Sequence, residues 1–104
     1  MTFVETKLFT KLVQEYLSDD EYAALQQWLI VNPAAGDVIP GSGGVRKVRW
    51  GVAGRGKRGG IRLIYFVRSR HHEIWMLTLY AKNVSESIRA HVLKKIKEEI
   101  DGKG

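Results

Sequence analysis

Ile61-Arg62-Leu63-Ile64-Tyr65-Phe66-Val67-Arg68 and, beyond residues 69–73, Ile74-Trp75-Met76-Leu77-Thr78-Leu79-Tyr80 are the stretches whose reading decides the fold. Both are rich in β-branched and aromatic residues, and both are apolar at odd and even positions alike. A half-buried strand alternates, so runs of this kind predict central strands covered on both faces. The connection between them is too short for a crossover, which predicts an antiparallel hairpin. Upstream, residues 45–52 set Val45, Lys47 and Arg49 on one parity and Arg46, Val48 and Trp50 on the other. This run reads as a third strand, joined to the second by the glycine-rich segment 53–60. The three strands form an antiparallel meander.

Helices flank the meander. Thr6 can cap a helix reaching about Leu17, with Leu8, Phe9, Leu12, Val13, Tyr16 and Leu17 in one apolar stripe. Ser18-Asp19-Asp20-Glu21 is a capping box, in which the serine hydroxyl accepts the N3 amide and Glu21 reaches back. It opens a second helix bearing Tyr22, Leu25, Trp28 and Leu29, which Asn32-Pro33 ends. Residues 36–44 read as a loop, rich in glycine and broken by Pro40. Ser85 can cap a last helix with Ile88, Val92, Leu93, Ile96 and Ile100 inward. Phe3-Val4-Glu5 reads as a short first strand. The expected order is β-α-α-β-β-β-α, an α+β domain over residues 1–101 with a flexible tail at 102–104.

Composition limits the function. The chain has 104 residues, 44% of them hydrophobic, enough for one core. It has no cysteine, which excludes disulfides, a thiolate nucleophile and a zinc finger. No run approaches the roughly 18 apolar residues of a membrane span. The start, Met1-Thr2-Phe3-Val4-Glu5, carries no secretory signal, so a cytoplasmic protein is expected. The formal charge is +6, but it is unevenly placed. Residues 1–40 hold two basic and six acidic side chains, a balance of −4. Residues 41–104 hold fifteen basic and five acidic ones, a balance of +10. Between Val38 and His72 there are nine Lys and Arg side chains and no acid. Such a run repels itself, so it points to a polyanionic partner rather than a solvated face.

Two motifs in this run fail on context. Gly54-Arg55-Gly56-Lys57-Arg58-Gly59 matches GxGxxG, and residues 51–58 nearly match a P-loop. Both motifs require a helix after the glycines, and here a strand follows. What remains is a glycine-rich loop whose Arg55, Lys57 and Arg58 can reach phosphates. Arg62, near the start of an apolar strand, needs either a carboxylate or an external anion. Tyr80, Lys82 and Asn83 end the next strand, beside Arg62 in antiparallel order. His71 and His72 fall at a hairpin tip and His91 on the last helix, with no third ligand spaced for a metal. Trp50, Tyr65 and Trp75 have the shape to stack on bases. Core packing is the simpler reading, with Trp50 the exception.

Three stretches resemble HigB-type toxins of the RelE/ParE superfamily. They are Gly36-Asp37-Val38-Ile39-Pro40-Gly41-Ser42-Gly43-Gly44-Val45-Arg46-Lys47-Val48-Arg49, then Gly56-Lys57-Arg58-Gly59-Gly60-Ile61-Arg62-Leu63-Ile64-Tyr65-Phe66, then Leu77-Thr78-Leu79-Tyr80-Ala81-Lys82-Asn83. They keep the order and spacing of that family and fall between residues 36 and 83. The resemblance implies a RelE-like fold and the toxin of a type II toxin–antitoxin pair. It implies a metal-independent endoribonuclease that cleaves messenger RNA in the ribosomal A site and needs no cofactor. Its partners would be the ribosome, mRNA and a cognate antitoxin, expected to be of the helix-turn-helix type, with an acidic segment over the site.

By the same resemblance, Arg62 would stabilise the charge that develops on the scissile phosphate, and Lys57 and Arg58 would bind it. Lys57 or Lys82 would serve as base, with Tyr80 an available aromatic. Arg46, Lys47, Arg49, Trp50, Arg55 and Asn83 would bind RNA. The chain departs from RelE-type enzymes in having Asn83 where they carry a second arginine, and in having no tyrosine after Tyr80. Two other functions fit the charge: a gyrase-poisoning toxin, and a non-catalytic nucleic-acid-binding module.

Overall fold

The computed structural model describes residues 1–51, 60–81 and 90–102. It is an α+β domain of three helices and one five-stranded mixed sheet. In chain order the elements are β1 (Thr2–Glu5), α1 (Lys7–Tyr16), α2 (Asp19–Val31), β2 (Asp37–Val38), β3 (Arg46–Trp50), β4 (Ile61–Arg68), β5 (Glu73–Ala81) and α3 (Ala90–Gly102). A 3-10 turn, Ser69–His71, links β4 to β5. His72 closes it in the left-handed region, at φ 53°. No helix among the described residues is long and apolar enough to cross a membrane.

The sheet order is β1-β5-β4-β3-β2. The meander β3-β4-β5 is antiparallel as its short connections require, and the two doubly apolar runs take the inner positions. Two features depart from the sequence expectation. Asp37–Val38, read as loop, adds a two-residue edge strand against β3. The first strand lies parallel to β5, from Thr2 opposite Glu73 to Glu5 opposite Met76, which makes the sheet mixed. The last helix continues through Gly102, one residue past the expected boundary. Ser85, its expected cap, lies outside the described residues, as do Lys103 and Gly104.

Local chemistry sets the helix ends. Thr6 Oγ accepts the Phe9 N–H at 3.0 Å. The Ser18 capping box is complete: Ser18 Oγ accepts the Glu21 N–H at 3.1 Å, and a Glu21 carboxylate oxygen accepts the Ser18 N–H at 2.8 Å. Asn32 caps the end of α2, its backbone N–H donating to the Trp28 carbonyl at 2.9 Å.

Each sheet face has its own core. Against α1 and α2, β4 and β5 place Ile61, Leu63, Tyr65, Ile74, Met76 and Leu79 on Phe9, Val13, Leu25 and Leu29. On the other face Ile64, Phe66 and Leu77 meet Leu93, Ile96 and Ile100 of α3. The strands thus read as apolar throughout because both faces are covered.

One irregularity positions the site. Ile64 pairs with Thr78 but Tyr65 pairs with Met76, so β5 carries an extra residue, Leu77, at a β-bulge. Ile74 and Met76 face α1 and α2, whereas Tyr80, of the same parity, packs on the α3 side. Thr6 holds the bulge: its hydroxyl donates to the Leu77 carbonyl at 2.8 Å, and its N–H to that of Met76 at 3.2 Å. The residue that caps α1 therefore also ties down the backbone where the β5 register changes.

Candidate nucleic-acid site

Cross-strand partners in an antiparallel sheet share a face and stand about 5 Å apart. Arg49 is opposite Arg62, and Arg62 is opposite Tyr80, so these three side chains form one rung across β3, β4 and β5. Lys47, opposite Ile64, stands on the same face, two residues along β3 from Arg49. Lys47 and Arg49 are exposed, Arg62 and Tyr80 half-buried. The face is the one that α3 covers farther along the strands, at Ile64 and Phe66.

The electrostatics of the rung are unbalanced. Like charges directly opposite one another in a sheet are destabilising. Arg62 Nη1 is buried and has no hydrogen-bond partner among the described residues. Among the described residues β4's other end carries an ion pair, Arg68 with Glu73 at 3.4 Å, six residues from Arg62. A desolvated guanidinium donor aimed at nothing costs free energy, and an anion supplies what it lacks. Arginine offers forked donors that match the oxygens of a phosphate. Chemically, two guanidinium groups on one face can share the charge of an anion, and the Tyr80 side chain stands next to them on that face.

The structure divides the residues named from sequence. Lys47, Arg49, Arg62 and Tyr80 come together. Arg46 and Trp50 do not join them, since their parity sends both to the opposite face. Arg46, named as an RNA contact, instead clamps the α2–β2 connection, donating to the Gly36 carbonyl at 2.7 Å and the Ala34 carbonyl at 3.3 Å. Trp50, also named for RNA, packs on Trp28 with ring centroids 5.3 Å apart. The alternation of residues 45–52 already separates these two from Lys47 and Arg49, and is the signal that distinguishes them. Arg55, Lys57, Arg58, Lys82 and Asn83 lie outside the described residues.

The other aromatics are structural. Tyr65 is fully buried, its Oη donating to the Pro33 carbonyl at 2.9 Å and accepting the Gly36 N–H at 3.0 Å. Burial raises its pKa, partly offset by that N–H and by the Arg46 charge. Gly36 fits closely there, because a Cβ would stand 3.0 Å from both the Lys47 carbonyl oxygen and the Tyr65 ring, tighter than most side chains tolerate. Trp75 stacks on Phe66 at 6.4 Å and donates its indole N–H to Glu73 at 3.1 Å. His71 and His72 are exposed at the β4–β5 turn, away from the rung.

No family model matches this chain. The chemistry of the site must be argued from its own residues.

Proposed function

We propose that this chain is the toxin of a type II toxin–antitoxin pair, a ribosome-dependent mRNA endoribonuclease of the HigB kind with a RelE-like fold. The observation that carries the reading is the Arg49–Arg62–Tyr80 rung, whose buried Arg62 Nη1 has no partner among the described residues. The three stretches quoted above for their resemblance to HigB-type toxins support it.

Cleavage by this route needs no group from outside the RNA except proton carriers. The ribose 2′-hydroxyl gives up its proton and its oxygen attacks the adjacent phosphorus in line. The bond from phosphorus to the 5′-oxygen breaks, and that oxygen takes up a proton. The products are a 2′,3′-cyclic phosphate and a 5′-hydroxyl. Charge builds on the non-bridging oxygens in the transition state, where preorganised donors give their largest effect. Arg62 is the donor already out of water, and Arg49 and Lys47 hold the flanking phosphates. Tyr80 stands opposite Arg62 on the same face, and its O–H is the proposed donor to the reacting phosphate or the leaving oxygen. Lys57, Arg58 and Lys82 complete the proposed machinery, with Lys57 or Lys82 as base. The cognate antitoxin, of the helix-turn-helix type, would cover the rung with carboxylates.

The test is a translation reaction containing mRNA and ribosomes, with new 3′ ends mapped by primer extension. Wild-type protein should generate them, and Arg62→Ala should lose at least about 100-fold in rate, the scale for removing one such donor. Absence of new ends with the wild-type chain would sink the reading. Inhibition of gyrase supercoiling in its place would transfer the rung to a non-hydrolytic toxin.

A further inference from the structure

The far end of β4 carries a second cationic feature that the proposed reaction does not use. A groove of about 560 Å³ lies there, lined by Phe66, Arg68, Ser69, Arg70, His71 and Lys97, with Val67 at its edge. Among the described residues Glu73 is an acid beside it, and that carboxylate is engaged by Arg68 and by the Trp75 indole. Lys97 reaches over the Phe66 ring, its Nζ 5.8 Å from the centroid, which brings α3's charge to the groove. Arg70 and His71 project from the 3-10 turn and are exposed. The Phe66 ring is only 1% exposed and lies beneath Lys97. Arg68, Arg70 and Lys97 give the groove a positive lining, and charge of this sign suits a phosphodiester backbone.

We propose that this groove binds the RNA phosphate backbone at a point remote from the scissile bond. The inference rests on the reading of RNA as substrate. Arg62 and Arg68 are six residues apart on one strand, which at about 3.3 Å per residue separates the two sites by roughly 20 Å. Because α3 covers Ile64 and Phe66 between the two sites, an RNA of several nucleotides that occupies both passes over α3. The groove then supplies affinity and orientation, and the rung supplies the chemistry. Arg70 and Lys97 are binding residues in this scheme and Arg68, fixed by Glu73, sets the wall between them.

The test is the salt dependence of binding, read by fluorescence anisotropy with a labelled twelve-nucleotide single-stranded RNA whose 2′-hydroxyls are methylated against cleavage. For single strands each phosphate contact contributes about 0.7 to the slope of log K against log salt. Arg70→Gln should lower the slope by about 0.7, and Arg70→Gln with Lys97→Gln by about 1.4. Arg70 is exposed, so the single variant reports even if loss of Lys97 disturbs the packing on Phe66. An unchanged slope in both variants overturns the groove. If the slope is unchanged and a labelled oligoglutamate peptide binds wild type directly but not the variants, the groove belongs to an acidic protein partner instead. A reduced slope in protein that makes no new 3′ ends upholds the groove and removes the endonuclease reading, so the two can fail separately.

Discussion

Replacing Arg62 by methionine should make the protein more stable and inactive. Methionine keeps an unbranched stem of similar length, so the packing beside Ile64 and Tyr80 is little changed. The guanidinium, however, leaves with its unsatisfied, buried Nη1 and with its charge opposite Arg49. One buried donor without a partner costs about 1–3 kcal/mol. A like-charge cross-strand pair costs up to about 1 kcal/mol more. Because Arg62 as a residue is only half-buried, the lower end applies, a gain of about 1 kcal/mol. In a domain of about 100 residues that raises Tm by roughly 4–8 °C. Calorimetry or a urea titration measures it. The same variant should cleave at least about 100-fold more slowly. A bound polyanion should close the gap from the other side. At a free RNA concentration 100 times Kd the wild type gains about 2.7 kcal/mol, and the variant much less. A Tm that falls on substitution would refute the reasoning, because it would show that the guanidinium is already satisfied within the protein. Unimpaired cleavage would refute the catalytic half alone.

The remaining predictions concern what holds the rung in place. Tyr65→Phe removes an Oη that serves both the Pro33 carbonyl and the Gly36 N–H, and should cost about 2–3 kcal/mol by urea midpoint, with little change in RNA affinity. Thr6→Ala loses the α1 cap and the bond to the Leu77 carbonyl, and should cost about 2 kcal/mol. It should also slow cleavage at temperatures where the variant is fully folded, since the bulge that aims Tyr80 is released, while Thr6→Ser should restore most of both. Alkaline pH should destabilise the fold through Tyr22 and Tyr65, whose pKa values are raised, Tyr22's above all by burial and then by its hydrogen bond to Glu5. A raised folded-state pKa contributes stability that is full below the unfolded value near 10 and lost above it, at up to about 1.4 kcal/mol per pH unit per group. Urea midpoints that stay level from pH 9 to pH 11, or tyrosinate absorbance that rises with a normal midpoint for all four tyrosines, would contradict this.

The elements could be read from sequence because their signals are local. Thr6 and the Ser18 box mark helix starts, Asn32-Pro33 marks an end, and the doubly apolar runs 61–68 and 74–80 identify the inner strands. Pairings over long distance leave no such mark. Nothing in Phe3-Val4-Glu5 states that it will run parallel to a strand seventy residues later, and Asp37-Val38 is too short to show a period. The site was half legible. Alternation along residues 45–52 puts Lys47 and Arg49 on one face and Arg46 and Trp50 on the other, so a strict reading of parity removes the latter pair. Tyr80 is the opposite case, because parity taken from Ile74 and Met76 places it on the wrong face.

The bulge explains why. Inner strands are apolar at every position, so period 2 disappears from β5 and an inserted residue leaves no trace in the pattern. If β5 alternated without a bulge through Leu77, Tyr80 would turn toward α1 and α2, and the rung would consist of two arginines with no hydroxyl. With it, Tyr80 stands beside Arg62 at the end of the sheet from which residues 52–59 and 82–89 depart, the segments that hold Arg55, Lys57, Arg58, Lys82 and Asn83. The bulge is in turn fixed by a hydroxyl seventy-one positions away, on Thr6. The acidic N-terminal third is thus not separate from the basic remainder. Its first helix cap holds the strand whose register determines what faces the phosphate.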